Sequence, residues 1–265
     1  PVLSTSINKD VKDKEKEEDD EDNHNTLSYK YLLDMQMKSM TKDNIAKLEN
    51  TMEKCQCLYD EYDKMTPRDI WNKELDELSW QFAAYLQSSG LKKGDRIALM
   101  MPNLLQYPIA LLGSLRAGCV VVNVNPMYTA RELAYQLNDS GADALVILEN
   151  FAHVFQSIQD QVTVKHVLVT SVGELMGLKG HLINLIVRHV KKAVPSWSLD
   201  SALNFKEALW QGKNTRASFE QVLIKGDDIA FLQYTGGTTG VAKGAVLLHR
   251  NILANIAQID AWLEP

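Results

Sequence analysis

Lys243 and three threonines, Thr235, Thr238 and Thr239, fall in one short stretch, FLQYTGGTTGVAKGA at Phe231–Ala245. One ammonium and three hydroxyls are interleaved there with Gly236, Gly237, Gly240 and Gly244. Glycines let a backbone approach a ligand closely and adopt turns that a side chain would forbid. A glycine-rich turn can aim several N–H groups at one anion, so the chemistry this stretch suits is the holding of a phosphate-bearing ligand. The stretch is not a Walker A loop, because Lys243 follows Ala242 and precedes Gly244 instead of standing in a Gly-Lys-Ser/Thr run. A plain surface turn between two strands would use fewer of these features.

The elements that must position this loop can be read from apolar patterning. Ile229–Leu232 and Ala245–Leu248 are apolar runs on either side of it, and a helix is expected to open at His249 or Arg250. That strand–loop–strand–helix order also differs from the strand–loop–helix of a P-loop NTPase. Upstream, Arg96–Met101, Cys119–Val124, Ala144–Leu148 and Val164–Thr170 read as strands. Helical patterns fall between them at Tyr107–Ala117, from Thr129 through Leu137, and at Ala152–Ile158. Thr129 with Glu132 has the spacing of a capping box. Strands alternating with helices of this length predict an α/β fold, a doubly wound parallel sheet with right-handed crossovers.

The chain of 265 residues has a net charge of -6 and 45% apolar residues, which suits one or two globular domains. The charge is divided unevenly. Residues 1–78 hold 12 Lys/Arg against 20 Asp/Glu, and residues 79–265 hold 16 against 14. Residues 1–27, centred on the block Glu15–Asp22, have too little apolar surface to offset the entropy of ordering and are expected to form a disordered acidic leader. Residues 28–78 are expected to be helical. Thr41 is a candidate N-cap, and Ile45, Leu48, Met52, Cys55, Leu58 or Tyr59, and Tyr62 give one apolar stripe on an otherwise charged helix, a pattern that fits a coiled-coil partner through residues 41–65. Thr66-Pro67 ends that helix, a short second helix opens at Arg68–Trp71, and another helix is expected at Leu78–Gln87. Residues 79–265 make the third unit.

Cys55, Cys57 and Cys119 form an odd set without a CxxC pair, which points to a reduced compartment and away from a metal site. No apolar run reaches the roughly 18–20 residues needed to span a bilayer. The segment 180–194, GHLINLIVRHVKKAV, is a basic amphipathic helix of the kind that lies on an anionic membrane surface. The expected location is therefore cytoplasmic, with peripheral membrane contact. The acidic leader and the absence of a dense basic stripe argue against nucleic acid as a partner.

Two resemblances follow from longer motifs. YKYLLDM at Tyr29–Met35, Thr41-Lys42 and TPRDIWNKELDEL at Thr66–Leu78 resemble the C-gate end of the catalytic core of eukaryotic-type DNA topoisomerase II, over about residues 10–78. This piece carries none of that family's catalytic residues.

The second covers about residues 76–265. YTGGTTGVAKGA at Tyr234–Ala245 resembles the phosphate-loop signature of AMP-forming acyl-CoA synthetases. Further matches are AYLQSSGLKKGDRIALMMPNLLQYPIALLGSLRAG at Ala84–Gly118, VVNVNPMYTARELAYQLNDSGA at Val121–Ala142 and LLHRNILAN at Leu247–Asn255, and together they are similar to the bacterial-type long-chain fatty acid–CoA ligases. The resemblance implies a partial adenylate-forming domain that uses ATP, Mg2+ and CoA to activate a fatty acid. It implies that ATP phosphates are bound by Tyr234, Thr235, Gly236, Gly237, Thr238, Thr239, Gly240, Val241, Ala242, Lys243, Gly244 and Ala245. The family's adenine, ribose and magnesium motifs and its catalytic lysine have no counterpart before Pro265, so an incomplete, inactive fragment is expected, with no complete catalytic set. The alternatives are a topoisomerase-type interaction fragment fused to a passenger domain, and a nucleotide-binding module without turnover.

Overall fold

The computed structural model describes residues 42–235 and 242–263. The expected acidic leader and the candidate cap Thr41 lie outside the described residues. By its internal contacts the chain divides into two compact units, residues 1–65 and 66–265.

In the first unit the described structure is helix α1, Lys42–Asp63. It realises the helix expected from the apolar stripe. Ile45, Leu48, Met52 and Tyr59 along that stripe are exposed.

The second unit opens on α2, Pro67–Ser88. Thr66 caps it: its hydroxyl accepts from the Asp69 N–H at 3.2 Å, and the Asp69 carboxylate accepts from the Thr66 N–H at 3.0 Å. Pro67 fills the first helical position, where its missing N–H costs nothing. The Thr66 hydroxyl, donating to the Asp69 carboxylate at 2.6 Å, and then the Thr66 N–H hold that carboxyl below its usual range. The short helix at 68–71 and the helix at 78–87 are thus one continuous helix. Nothing in Trp71–Leu78 breaks it, since this stretch has neither Gly nor Pro.

A seven-stranded sheet follows. Its strands are β1 (Arg96–Met100), β2 (Val120–Asn123), β3 (Ala144–Leu148), β4 (His166–Thr170), β5 (Ala202–Asn204), β6 (Ile229–Thr235) and β7 (Lys243–Leu248). Across the sheet the order is β5-β4-β3-β1-β2-β6-β7. Every neighbouring pair is parallel except β6 and β7, which are antiparallel. The α/β, doubly wound expectation holds. The antiparallel edge and the short strand β5 are additions that apolar periodicity did not reveal. β5 has three residues, too few to show a period of two.

The connecting helices are α3 (Gln106–Arg116), α4 (Ala130–Ser140), α5 (Ala152–Gln156), α6 (Gly177–Leu185), α7 (Phe205–Thr215) and α8 (His249–Leu263). Helix α6 continues as a π-turn over Ile186–Val190. The capping box at the start of α4 forms as expected, with the Thr129 N–H donating to the Glu132 carboxylate at 2.8 Å. Gly141, at φ 61, ends α4 in the left-handed region that a side chain would resist.

Two apolar cores lie on the two faces of the sheet. On one face Phe82 and Leu86 of α2, Ile109 of α3 and Phe205 and Leu209 of α7 pack against Ile97, Leu99, Val121, Val146 and Leu168. On the other, Leu133 and Leu137 of α4 and Phe155 of α5 pack against Ala98, Met100, Val122, Leu145, Ile147, Val167 and Val169. Alternate strand residues therefore feed opposite cores, which is why these strands read as continuous apolar runs.

Cys119 is buried just before β2, whereas Cys55 and Cys57 on α1 are exposed. Burial, reinforced by Asp95 and Asp143, pushes the Cys119 thiol up to about 12. Thiolate is the reactive form. At pH 8 a disulfide reagent should therefore label Cys55 and Cys57 within minutes and Cys119 only after the protein is unfolded in guanidinium. Three equally fast thiols in the native protein would show that this core is not formed.

Candidate functional site: the β6–β7 turn at the carboxyl ends of the strands

β6 runs parallel to β2 in the register Val121–Phe231, Val122–Leu232 and Asn123–Gln233. Thr235 therefore emerges at the carboxyl end of the parallel strands. In open α/β sheets ligands bind at this end, near the place where the chain switches from one face to the other. Here α3, after β1, covers the α2 face, and α4, after β2, covers the opposite face.

The chain leaves β6 at Thr235 and re-enters the sheet at Lys243, and these two residues are directly paired across the antiparallel ladder. Directly opposed residues on such a ladder have their Cβ atoms about 5 Å apart on one face of the sheet. Thr235 and Lys243 thus stand at the two ends of the connection between β6 and β7, and both residues are exposed. Gly236, Gly237, Thr238, Thr239, Gly240 and Val241 lie outside the described residues. Of the expected site, Tyr234, Thr235, Ala242, Lys243, Gly244 and Ala245 are described.

Tyr234 is the buried member. Its hydroxyl donates to the Asp139 carboxylate of α4 at 2.6 Å, and its ring joins the core beneath α4. Burial, followed by the bond to Asp139, pushes its phenol well up, so it stays a proton donor. Tyr234 pairs with Gly244, and a Cβ at Gly244 would lie 3.0 Å from the tyrosine ring. A side chain at Gly244 would thus crowd the ring that crosses it. The tyrosine acts as an anchor for the turn and is not itself poised as a reacting group.

A polar string absent from the sequence reading lies just behind the turn. The Tyr107 hydroxyl donates to Asn123 Oδ1 at 3.0 Å, and Asn123 Nδ2 donates to Gln233 Oε1 at 3.1 Å. Gln136 Nε2 donates to the Asn123 carbonyl at 2.8 Å. Burial pushes the Tyr107 phenol up, which keeps it a donor. The string ties α3, β2, α4 and β6 together two residues before Thr235. The available signal was that Asn123 and Gln233 each close an apolar run with an amide; their pairing, 110 positions apart, was not visible.

Two concavities, of about 460 and 170 Å3, lie elsewhere. Their linings include Lys92, Lys93, Phe219 and Val222 in the first and Lys93, Arg96, Asp228 and Ile229 in the second. These residues mark the amino ends of β1, β2 and β6, away from the turn. Among the described residues no three His, Cys, Asp or Glu side chains converge on a cation. Also among the described residues, no helix is long and apolar enough to cross a membrane.

Comparisons with known proteins agree on the family. Residues 50–265 match the family described as AMP-binding enzyme. The Long-chain-fatty-acid--CoA ligase of Escherichia coli O157:H7 is 55% identical over 195 residues, covering 73% of this chain and 34% of the relative. The ligase of the same description from Bacillus subtilis is 35% identical over 200 residues, covering 76% of this chain and 35% of the relative. Among solved structures, a long-chain-fatty-acid-CoA ligase from Archaeoglobus fulgidus is 27% identical with a TM-score of 0.54, covering 70% of this chain and 31% of that one. The chain thus spans about a third of the length of the relatives it matches. The match from residue 50 takes in part of the segment expected to resemble a topoisomerase, and neither that resemblance nor the passenger-domain alternative is supported by these relatives. With its sheet, its paired Thr235–Lys243 turn and these matches, the chain belongs to the AMP-binding enzyme family.

Proposed function

We propose that residues 66–265 supply the phosphate-binding part of an ATP site that adenylates a long-chain fatty acid and then passes the acyl group to CoA. The observation that carries this reading is the 55% identity to a long-chain-fatty-acid–CoA ligase over 195 residues. The pairing of Thr235 with Lys243 across the turn supports it. In the first step a fatty-acid carboxylate oxygen attacks the α-phosphorus, and the bond to the departing pyrophosphate breaks. Negative charge grows on that leaving group. Lys243, the hydroxyls of Thr235, Thr238 and Thr239 and the backbone N–H groups from Gly236 to Gly240 would stabilise it there. In the second step the CoA sulfur attacks the acyl carbon and AMP leaves. Mg2+ would travel with the ATP phosphates and partly neutralise them.

The test is a chimaera in which residues 76–265 replace the matching segment of the Escherichia coli relative. We expect palmitate-dependent exchange of pyrophosphate into ATP. A chimaera that folds, melts cooperatively and gives no exchange would sink the reading.

The exposed residues Ile45, Leu48, Met52 and Tyr59 on α1 support a second, separate element of the proposal, a partner helix for residues 41–65. It is tested by the mass of the chain in solution, which should fall to that of a monomer when Leu48 and Met52 are replaced by Asp.

A further inference from the structure

Along α1 the residues Ile45, Leu48, Met52, Cys55, Tyr59 and Tyr62 recur in alternating steps of three and four. That is a 3.5-residue period, with Ile45, Met52 and Tyr59 at the a positions of a heptad and Leu48, Cys55 and Tyr62 at the d positions. All six are exposed. A seam of a and d positions alone is narrower than the stripe of a helix that packs on a domain core, and it suits one facing helix.

The other positions select that helix. Lys47, Glu53, Lys54, Asp60 and Glu61 fall at b and c, on the side away from the seam. Charges at e and g set partner choice and orientation in coiled coils. Here the g positions are Asn44, Thr51 and Leu58, none of them charged, and the e positions that face them are Glu49, Gln56 and Asp63. In a parallel, in-register pair each g residue meets the e residue five positions later on the other helix. Asn44 then meets Glu49, Thr51 meets Gln56 and Leu58 meets Asp63, so no two like charges oppose each other. A second copy is accepted without repulsion, and the g positions hold no charge that would favour a different helix. Ile45 at a followed by Leu48 at d is also the combination that favours two parallel strands.

We propose that α1 pairs with α1 of a second copy as a parallel, in-register, two-stranded coiled coil. This rests on the reading of residues 41–65 as one half of a helix pair. A parallel d layer brings identical residues face to face, so Cys55 meets Cys55 of the copy. Cys57, at f, points away from the seam. In an antiparallel pair a positions face d positions, and Cys55 would meet an a residue instead. The seam is short, so the pair is weak and depends on protein concentration.

The two thiols read out the register, and no nucleotide is involved. In sedimentation equilibrium the reduced chain should pass from monomer to dimer as its concentration rises, and Leu48→Asp/Met52→Asp should hold it as a monomer. Oxidised glutathione then tests the orientation. A Cys55 thiolate attacks the reagent's disulfide, forms a mixed disulfide and releases one glutathione thiolate. The thiolate of Cys55 of the copy attacks the Cys55 sulfur and releases the second, so both electrons pass to glutathione. The Cys57→Ser chain, which keeps Cys55, should become a covalent dimer at least about tenfold faster than the Cys55→Val chain, which keeps Cys57 and an apolar seam. Cys119 is buried in both. A chain that is monomeric at every concentration would overturn the proposal, as would a dimer that survives the two aspartates. A dimer that needs Leu48 and Met52 but joins Cys57 as readily as Cys55 would keep the helix pair and overturn its parallel register.

Discussion

In the chimaera with the Escherichia coli ligase, Lys243→Ala is expected to lower palmitate-dependent ATP–pyrophosphate exchange by roughly 10²–10³-fold, the range seen when one fixed donor to a developing anion is removed. The size follows from geometry. Lys243 is paired by the ladder opposite Thr235, so its backbone is fixed at the strand end. Its charge is needed most as the pyrophosphate leaves, so the loss should fall on kcat more than on KM for ATP. Thr235→Val removes one neutral hydroxyl and should cost roughly tenfold, since a neutral hydrogen bond contributes about half as much as a charged one. Neither change should move the melting temperature, because both residues are exposed at strand ends. Lys243→Arg should restore part of the rate. Exchange within threefold of the parent in a folded Lys243→Ala chimaera would remove this lysine from the site.

Much of this arrangement was legible because local signals and the global fold agree. The runs Ile97–Met100, Val120–Val122 and Ala144–Leu148 are apolar without alternation, and both faces of the sheet are indeed covered. Thr129 and Glu132 announced α4, and their reciprocal hydrogen bonds form. What stayed hidden depends on partners distant in sequence. The antiparallel turn of β7 against β6 is decided by pairing, which composition does not record. The Tyr107–Asn123–Gln233 string joins residues from three separate elements. The expected helix over 180–194 is found over Gly177–Val190, and its orientation was not accessible. Gly180, Asn184 and Arg188 choose the inward face only because Gly173, Ser171 and Glu149 meet them there.

Gly212→Ala is expected to damage the fold, and it sets two known effects against each other. Gly212 lies within α7, where alanine in place of glycine would by itself stabilise the helix by about 1 kcal/mol. It also lies where α7 crosses α2. An added Cβ would run into the Gln81 carbonyl oxygen and come within 3.0 Å of the Tyr85 nitrogen. Those atoms belong to the backbone of α2, which is held by Phe82 and Leu86 in the core, so they cannot swing away as a side-chain tip would. Overpacking of this kind costs about 1–3 kcal/mol, and more where the obstacle is backbone. The clash should therefore win, with a net loss of about 2 kcal/mol or more in guanidinium unfolding. Gly226→Ala is the matched control. Its Cβ would sit 3.5 Å from Arg250 Cβ, an ordinary contact, and its stability should change by less than about 0.5 kcal/mol. If Gly212→Ala proves neutral or stabilising, α2 and α7 do not cross in contact at this glycine, and the helix pair covering this face of the sheet would have to be redrawn.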